Sequence, residues 1–163
     1  MDLRRAARDP WVWGQLVLFL VVGLAAPLLP RHLSLGELDP MLNRIDPDRI
    51  RRLGWIVALA GAAVAVWGAR ALGRSLTPGT EPLPDAPLVT TGPYAHVRHP
   101  IYTGVVLVLA GYTLLWSNWT LALVVGVLAR WYFDRKARVE EGWLLERYPA
   151  YGAYMRHVRR RVL

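Results

Sequence analysis

Five side chains that suit ligand binding lie close together in the middle of the chain. Within nine residues the sequence places two tyrosines, two histidines and an arginine: Tyr94, His96, Arg98, His99 and Tyr102. Arginine and histidine can bind a carboxylate, and a tyrosine ring can face a flat aromatic group. The same residue types also occur at the ends of membrane-spanning helices, where they lie among the lipid headgroups. These residues alone therefore allow two interpretations, a ligand site and an ordinary helix end.

His96 and His99 also have a spacing that could provide half of a metal site. Zinc sites in proteins use three or four ligands, often including cysteine. The chain contains no cysteine, and no third ligand lies near the two histidines in the sequence. We therefore expect no metal, no disulfide and no cysteine nucleophile.

A pair of acids, Glu140 and Glu141, marks a second polar cluster. It lies in residues 134–147, which have helical character, and Arg138 shares a helix face with Glu141 because the two are three residues apart. Most charges here are typical of a solvated helix at the membrane interface, as is the basic run at residues 159–161. Two adjacent acids could instead bind a ribose diol or an ammonium group.

Long uncharged stretches must position both clusters. Residues 11–30, 53–69 and 101–129 contain no Asp, Glu, Lys or Arg, although charged residues make up 20% of the chain. These stretches predict an all-α, polytopic membrane protein rather than a disordered or soluble chain. We assign the spans to residues 11–29, 53–72, 101–116 and 119–133, a Pro-rich cytoplasmic loop to 73–100, and a cytoplasmic C-terminal helical region to 134–163.

Two helix boundaries carry local signals. Asp46 can cap the second span and Pro47 suits the first helical position, so that helix should begin before residue 53. Ser117 and Asn118 interrupt the apolar block, which predicts a helical hairpin of spans three and four. A hairpin would bring the first cluster and the second to the same membrane face.

The first span is too long for a signal peptide and lacks its cleavage pattern, so we keep it as a span.

The basic residues predict the orientation. Fifteen of the twenty lie on the side that holds both termini and the Pro-rich loop, and the other five lie in residues 31–52. This asymmetry places both termini in the cytoplasm. An interfacial segment around residues 34–44 could hold some of the five. Because the arginines flank apolar runs, the net charge of +8 reflects topology and not nucleic-acid binding.

Two segments resemble the motifs of the isoprenylcysteine carboxyl methyltransferase family, which belongs with the membrane phospholipid methyltransferases. They are LVTTGPYAHVRHPIYTG at residues 88–104 and VEEGWLLERYPAYGAYMRHVRR at residues 139–160. The ordered combination R-H-P-x-Y-x-G, E-E and Y-x-x-Y carries the resemblance, which extends over about residues 73–160. The chain departs from the family pattern at Pro149 and Ala150, and it lacks the closing proline at Val162 and Leu163.

The resemblance implies an enzyme that uses S-adenosylmethionine and releases S-adenosylhomocysteine. It implies a catalytic role for Glu141 and for Arg138, which matches an arginine near the acceptor. The cofactor-binding residues that it implies are Leu88, Val89, Tyr94, Arg98, His99, Pro100, Ile101, Tyr102, Glu140 and Glu141. The family's larger relatives, which methylate prenylated proteins, have additional spans, so we do not expect that substrate here.

The sequence does not identify the methyl acceptor. A lipid or isoprenoid carboxylate, a thiol or an amine would each suit a membrane methyltransferase, and only the thiol and the amine require a base. We expect a protein of the bacterial cytoplasmic (inner) membrane whose partners are the bilayer and the acceptor, with no obligate protein partner. The alternatives are a non-catalytic membrane protein of the same fold and a small transporter. A transporter would show more ionisable residues in its spans, whereas in residues 11–29 and 101–129 only Gln15 and Asn118 are strongly polar.

Overall fold

The described part of the chain consists of helices joined by turns and loops, and it contains no strand. A computed structural model describes residues 7–29, 46–116 and 118–162. Its α-helices are α1 (Pro10–Leu28), α2 (Pro47–Leu72), α3 (Pro100–Leu115), α4 (Trp119–Arg147) and α5 (Tyr151–His157), with 3₁₀ turns at Gly73–Ser75 and Gly92–Ala95. The prediction of an all-α protein is confirmed. The interfacial segment predicted around residues 34–44 lies outside the described residues.

Side-chain caps fix where the first two helices begin. The carboxylate of Asp46 accepts a hydrogen bond of 2.9 Å from the backbone N–H of Asp48, and Pro47 occupies the first helical position. The earlier start predicted for this helix is therefore correct. Asp9 caps α1 in the same way, by accepting from the N–H of Trp11 at 2.9 Å. In both helices the acid satisfies an amide that has no partner within the helix.

Glycines bring α2 and α3 into close contact. Gly54, Gly61 and Gly68 recur every seven residues along α2 and face α3. A Cβ atom on Gly61 would lie 2.7 Å from the carbonyl oxygen of Gly104, and one on Gly104 would lie 2.5 Å from that of Gly61. Such distances leave no space for a side chain, so the two backbones touch here. This contact fixes the start of α3, where the first polar cluster lies.

The fourth predicted span and the second polar cluster lie on one uninterrupted helix. Asn118 caps α4 by accepting from the N–H of Leu121 at 2.8 Å, and the helix continues through Phe133 to Arg147. Its 29 residues extend about 44 Å at ~1.5 Å per residue. Because α4 packs on α3 through a buried apolar core, its second half lies beside the start of α3. That core consists of Val22, Leu109, Val125, Ala129 and Phe133.

The first two helices satisfy the length and composition expected of a membrane span. Pro10–Leu28 and the helical stretch Pro47–Ser75 are both apolar, and only 11% of the most apolar window of each is buried within the protein. Large side chains such as Leu20, Ile56 and Leu59 are more than 60% exposed. Helix α3 is apolar but has only 16 residues. The exposed side chains of α1 and α2 are those that a bilayer would cover.

Candidate active site

The Pro-rich loop after α2 is held in place at several points along its length. Asp9, which caps α1, also accepts hydrogen bonds from the backbone N–H of Thr80 at 2.7 Å and from its hydroxyl at 2.9 Å. Farther along, the hydroxyl of Ser75 donates to the carbonyl of Pro87 at 3.3 Å, and Tyr148 donates to that of Ala86. The loop is thereby tied to the start of α1 and to the end of α4.

The R-H-P segment lies where the loop enters α3. Gly92 opens the preceding 3₁₀ turn with a φ of +62°, which few other residues adopt. The turn buries Tyr94, whose carbonyl accepts a hydrogen bond of 2.7 Å from the hydroxyl of Tyr154. His99 then occupies the N-cap position of α3 and Pro100 its first helical position. Arg98 and His99 are both less than 10% exposed.

Glu141 is the centre of a buried ion cluster. Its Oε1 atom accepts from Nε of Arg98 at 2.7 Å and lies 3.3 Å from Nε2 of His99, and its Oε2 atom accepts from Nε of Arg161 at 2.8 Å. Burial alone would raise the pKa of this carboxyl group, but the hydrogen bonds from His99, Arg98 and Arg161 outweigh burial and lower the pKa to about 2. Glu141 is therefore a carboxylate whose two oxygens both have cationic or hydrogen-bonding partners.

The C-terminal segment after α5 is part of the same cluster. The backbone N–H groups of Arg98 and His99 donate to the carbonyls of Arg160 and Arg161, both at 2.9 Å. The guanidinium of Arg98 donates from Nη1 to the carbonyl of Val158 at 2.6 Å and to that of Arg159 at 3.0 Å. The basic run predicted to be solvated is thus packed, in part, against the R-H-P segment. No local pattern predicts these pairings, because the partners are about sixty residues apart.

Beside this cluster lies a cavity of about 280 Å³. Its wall includes eight of the ten residues predicted to bind the cofactor, contributed by the loop, the 3₁₀ turn, α3 and α4. They are Leu88, Val89, Tyr94, Arg98, His99, Ile101, Tyr102 and Glu140. Residues from both motifs therefore meet at one cavity, together with Tyr148, Tyr151 and Tyr154.

Three predicted residues do not line this cavity. Pro100 is buried against α2, where its ring lies 3.1 Å from the position that a Cβ on Gly68 would occupy. Glu141 belongs to the ion cluster described above. Arg138 lies on the outer face of α4, where its Nη2 atom is 2.9 Å from Oδ2 of Asp134 and more than half of its side chain is exposed. Although Arg138 and Glu141 share a helix face in the sequence, neither lines the cavity.

Glu140, in contrast, faces the cavity. Its Oε2 atom accepts a hydrogen bond of 2.8 Å from the hydroxyl of Tyr102 and lies 3.5 Å from Nδ1 of His99. The rings of His99 and Tyr102 are stacked, with centroids 5.3 Å apart and planes 2° from parallel. His99 therefore lies between the two adjacent acids, with one ring nitrogen toward each.

Lys136 is a wall residue that the sequence reasoning missed. Its side chain is 1% exposed, and its ammonium donates to Oε1 of Gln15 at 2.8 Å and to the carbonyl of Pro78 at 3.1 Å. Nζ also lies 5.4 Å from the centre of the Tyr102 ring. Burial lowers the pKa of this lysine. The sequence does distinguish this residue, because Lys136 is the single lysine among twenty basic residues.

The remaining ionisable residues of the wall are tyrosines. Burial, with the negative charge of nearby Glu140 or Glu141, raises the pKa of Tyr94 and of Tyr151 well above the usual value. Burial likewise raises the pKa of Tyr154, to about 12. These side chains are therefore neutral hydrogen-bonding groups. Among the described residues, no group of three or more His, Cys, Asp or Glu side chains converges as a metal site would require.

Comparison with known proteins identifies the family. Residues 54–146, which are 93 of the 163 residues, match the family model of the isoprenylcysteine carboxyl methyltransferase (ICMT) family. The match extends from α2 to the end of α4 and includes the loop, the R-H-P segment and both acids. No curated protein matches the chain. Members of this family are membrane methyltransferases, in agreement with the two long apolar helices. With more than half of its length matched, the chain belongs to the isoprenylcysteine carboxyl methyltransferase family.

Proposed function

We propose that this chain transfers a methyl group from S-adenosylmethionine to a lipophilic or small acceptor at the cytoplasmic face of a membrane. The observation that carries the proposal is the cavity, because residues from both motifs line it. The family match supports methyltransferase activity. The cofactor is inferred from the motif resemblance and the membrane face from the distribution of basic residues.

The side chains of the wall fit this methyl donor. S-adenosylmethionine carries an ammonium group, a carboxylate, a ribose diol and an adenine ring. The carboxylate of Glu140 would bind the amino group or the diol, and apolar Leu88 and Val89 with the nearby tyrosine rings would pack against the adenine. The cavity volume of about 280 Å³ lies near the lower end of the range of small-molecule pockets, which begins at ~300 Å³.

The reaction requires alignment more than acid–base chemistry. When bound, S-adenosylmethionine supplies a methyl group on a sulfonium, and the electron pair of the broken C–S bond stays on sulfur while an acceptor lone pair forms the new bond to carbon. The loop, α3 and α4 would hold the two reactants in line, an effect that can contribute up to ~7–11 kcal/mol. A carboxylate acceptor needs no base. A thiol or an amine must lose a proton to a base.

A four-span arrangement would let a membrane-dissolved acceptor reach this cavity. In this arrangement α1 and α2 cross the bilayer, and α3 pairs with the first half of α4 as a hairpin. The cavity then lies at the basic side, with the Pro-rich loop and the C-terminal segment. The excess of basic residues supports a cytoplasmic location for this side and for both termini. We place the chain in the inner membrane of a bacterium.

Two neighbouring histidines provide a matched test. Isothermal titration of the detergent-purified chain with S-adenosylhomocysteine should show saturable binding. His99→Ala should weaken that binding by about tenfold, because His99 lines the cavity and contacts Glu140. His96→Ala should bind like the wild type, since His96 is exposed and does not line the cavity. Size-exclusion chromatography would establish that both variants are folded.

Product analysis would then identify the acceptor. Methyl-labelled donor is incubated with the protein and a lipid extract, and labelled products are separated and assigned as esters, thioethers or amines. A folded wild-type chain that does not bind S-adenosylhomocysteine would contradict the proposal and would favour a non-catalytic membrane protein of the same fold.

A further inference from the structure

The position of Lys136 is unusual for a lysine. It is buried at the cavity wall, on the half of α4 that continues beyond the predicted span. An ammonium group is strongly hydrated, so removing it from water is costly unless other groups compensate for the lost hydration. The contacts of Lys136 therefore show how far its charge is compensated within the protein.

The contacts of Lys136 do not neutralise its charge. Its two hydrogen-bond acceptors, the amide oxygen of Gln15 and the carbonyl of Pro78, are both uncharged. Within the described part of the chain, no carboxylate forms an ion pair with Nζ. The negative charges of Glu140 and Asp9 act on it only from a longer distance. An ammonium with one further N–H to donate thus lies at the wall.

Gln15 belongs to a helix outside the region that matches the family. The match begins at residue 54, whereas Gln15 lies in the apolar helix α1. Two contacts hold this end of α1 in place: Asp9 binds Thr80 of the loop, and the hydroxyl of Tyr132 on α4 donates to the carbonyl of Trp11. Strongly polar side chains in membrane helices commonly mark functional sites. These contacts hold α1 where the side-chain amide of Gln15 reaches Lys136.

We propose that Gln15 and Lys136 form an anion-binding subsite in the cavity, in which Gln15 positions the ammonium without neutralising it. The group bound there is a carboxylate or a phosphate, which accepts a hydrogen bond from Nζ and supplies the missing negative charge. Gln15 is a positioning residue and Lys136 the residue that contacts the anion. In the proposed function, the methyl acceptor would supply this anion. Only that assignment rests on the proposed function.

The single lysine allows the subsite to be tested by labelling. The full chain, in nanodiscs of neutral phosphatidylcholine, is treated with formaldehyde and cyanoborohydride, and methylation of Lys136 is followed by mass spectrometry. The α-amino group of the same chain is the internal control. The probes are N-dodecanoylglycine, which carries a carboxylate, and N-dodecanoylglycinamide, which has the same length and no charge.

The carboxylate probe should protect Lys136 at a concentration about tenfold lower than the amide does, because a hydrogen bond between two charged groups is stronger than one from the ammonium to a neutral amide. Gln15→Glu should abolish that preference by supplying an internal counter-charge. Gln15→Leu should reduce it by a few-fold, because the ammonium loses a hydrogen bond that positions it. Size-exclusion chromatography of the same samples reports whether each variant is folded, and binding of S-adenosylhomocysteine is measured separately.

Two results would overturn the subsite. One is equal protection of wild-type Lys136 by the two probes. The other is an unchanged preference for the carboxylate in a folded Gln15→Glu variant. If the preference is found but S-adenosylhomocysteine does not bind to the wild type, the proposed function fails and the subsite stands. If S-adenosylhomocysteine binds but the probes protect equally, the subsite fails alone.

Discussion

The two adjacent acids of α4 lie in different electrostatic environments. Glu141 has cationic or hydrogen-bonding partners for both oxygens, and its cluster joins the R-H-P segment, α4 and the C-terminal segment. Glu140 receives one hydrogen bond, from Tyr102, and faces a cavity whose wall also holds Lys136. Charges that neutralise each other within the fold stabilise it, whereas those left partly uncompensated are available to a ligand. Two consecutive residues of α4 are therefore a structural acid, Glu141, and a candidate ligand-binding acid, Glu140.

The strongest test of this difference is the removal of the charge of Glu141. Glu141→Gln leaves the buried guanidinium of Arg98 without its carboxylate, whereas Arg161 loses one of its two carboxylate partners and keeps Asp134. Breaking a buried pair by removing one partner costs about 3–5 kcal/mol. We expect a correspondingly lower free energy of unfolding in mild detergent and faster proteolysis of the C-terminal segment. A fully stable variant that loses only ligand binding would mean that Glu141, too, serves the ligand.

The pH dependence of stability tests the same cluster through the ionisation of Glu141. The pKa of Glu141 is lowered from 4.5 to about 2 in the folded chain, so its contribution is complete above the unfolded value and declines as the pH falls from about 4.5 toward 2. Such a shift corresponds to about 3 kcal/mol. The difference in unfolding free energy between the wild type and Glu141→Gln should be constant above pH 6 and shrink below pH 4.5. A difference that does not change with pH would contradict the role of this carboxylate.

Glu140 should show the opposite pattern, with a change in binding and little change in stability. Glu140→Gln keeps the size of the side chain and an oxygen that can accept from Tyr102, but it removes the charge that faces the cavity. We expect binding of S-adenosylhomocysteine to weaken by about tenfold, the effect of losing one charge-assisted hydrogen bond. Titration calorimetry and thermal unfolding on the same preparation would separate the two effects. A large loss of stability with unchanged binding would reverse our assignment of the two acids.

The sequence predicts the parts of this arrangement that depend on local signals. The cap at Asp46 and the start of α3 at the R-H-P segment follow from capping chemistry or from motif resemblance. The resemblance names Glu140 and Glu141 alike and does not predict which of them faces the cavity. It does not predict the pairing of Arg161 with Glu141, or that of Lys136 with Gln15. Both depend on how distant segments pack, and a charge at a helix end looks the same in sequence whether it is buried or solvated.

Arg138 provides the smallest effect and a control for the rest. It lies between Lys136 and Glu140 in the sequence, but its exposed side chain pairs with Asp134 one helix turn away. An exposed pair of this spacing contributes about 0.3–0.5 kcal/mol. Arg138→Ala should therefore change the unfolding free energy by less than about 1 kcal/mol and leave S-adenosylhomocysteine binding within about twofold. The motif resemblance instead places this arginine near the acceptor, so methyl transfer by the variant decides between the two. Unchanged donor binding with lost transfer would show that Arg138 reaches the acceptor, whereas unchanged transfer would contradict a role for Arg138 in the reaction.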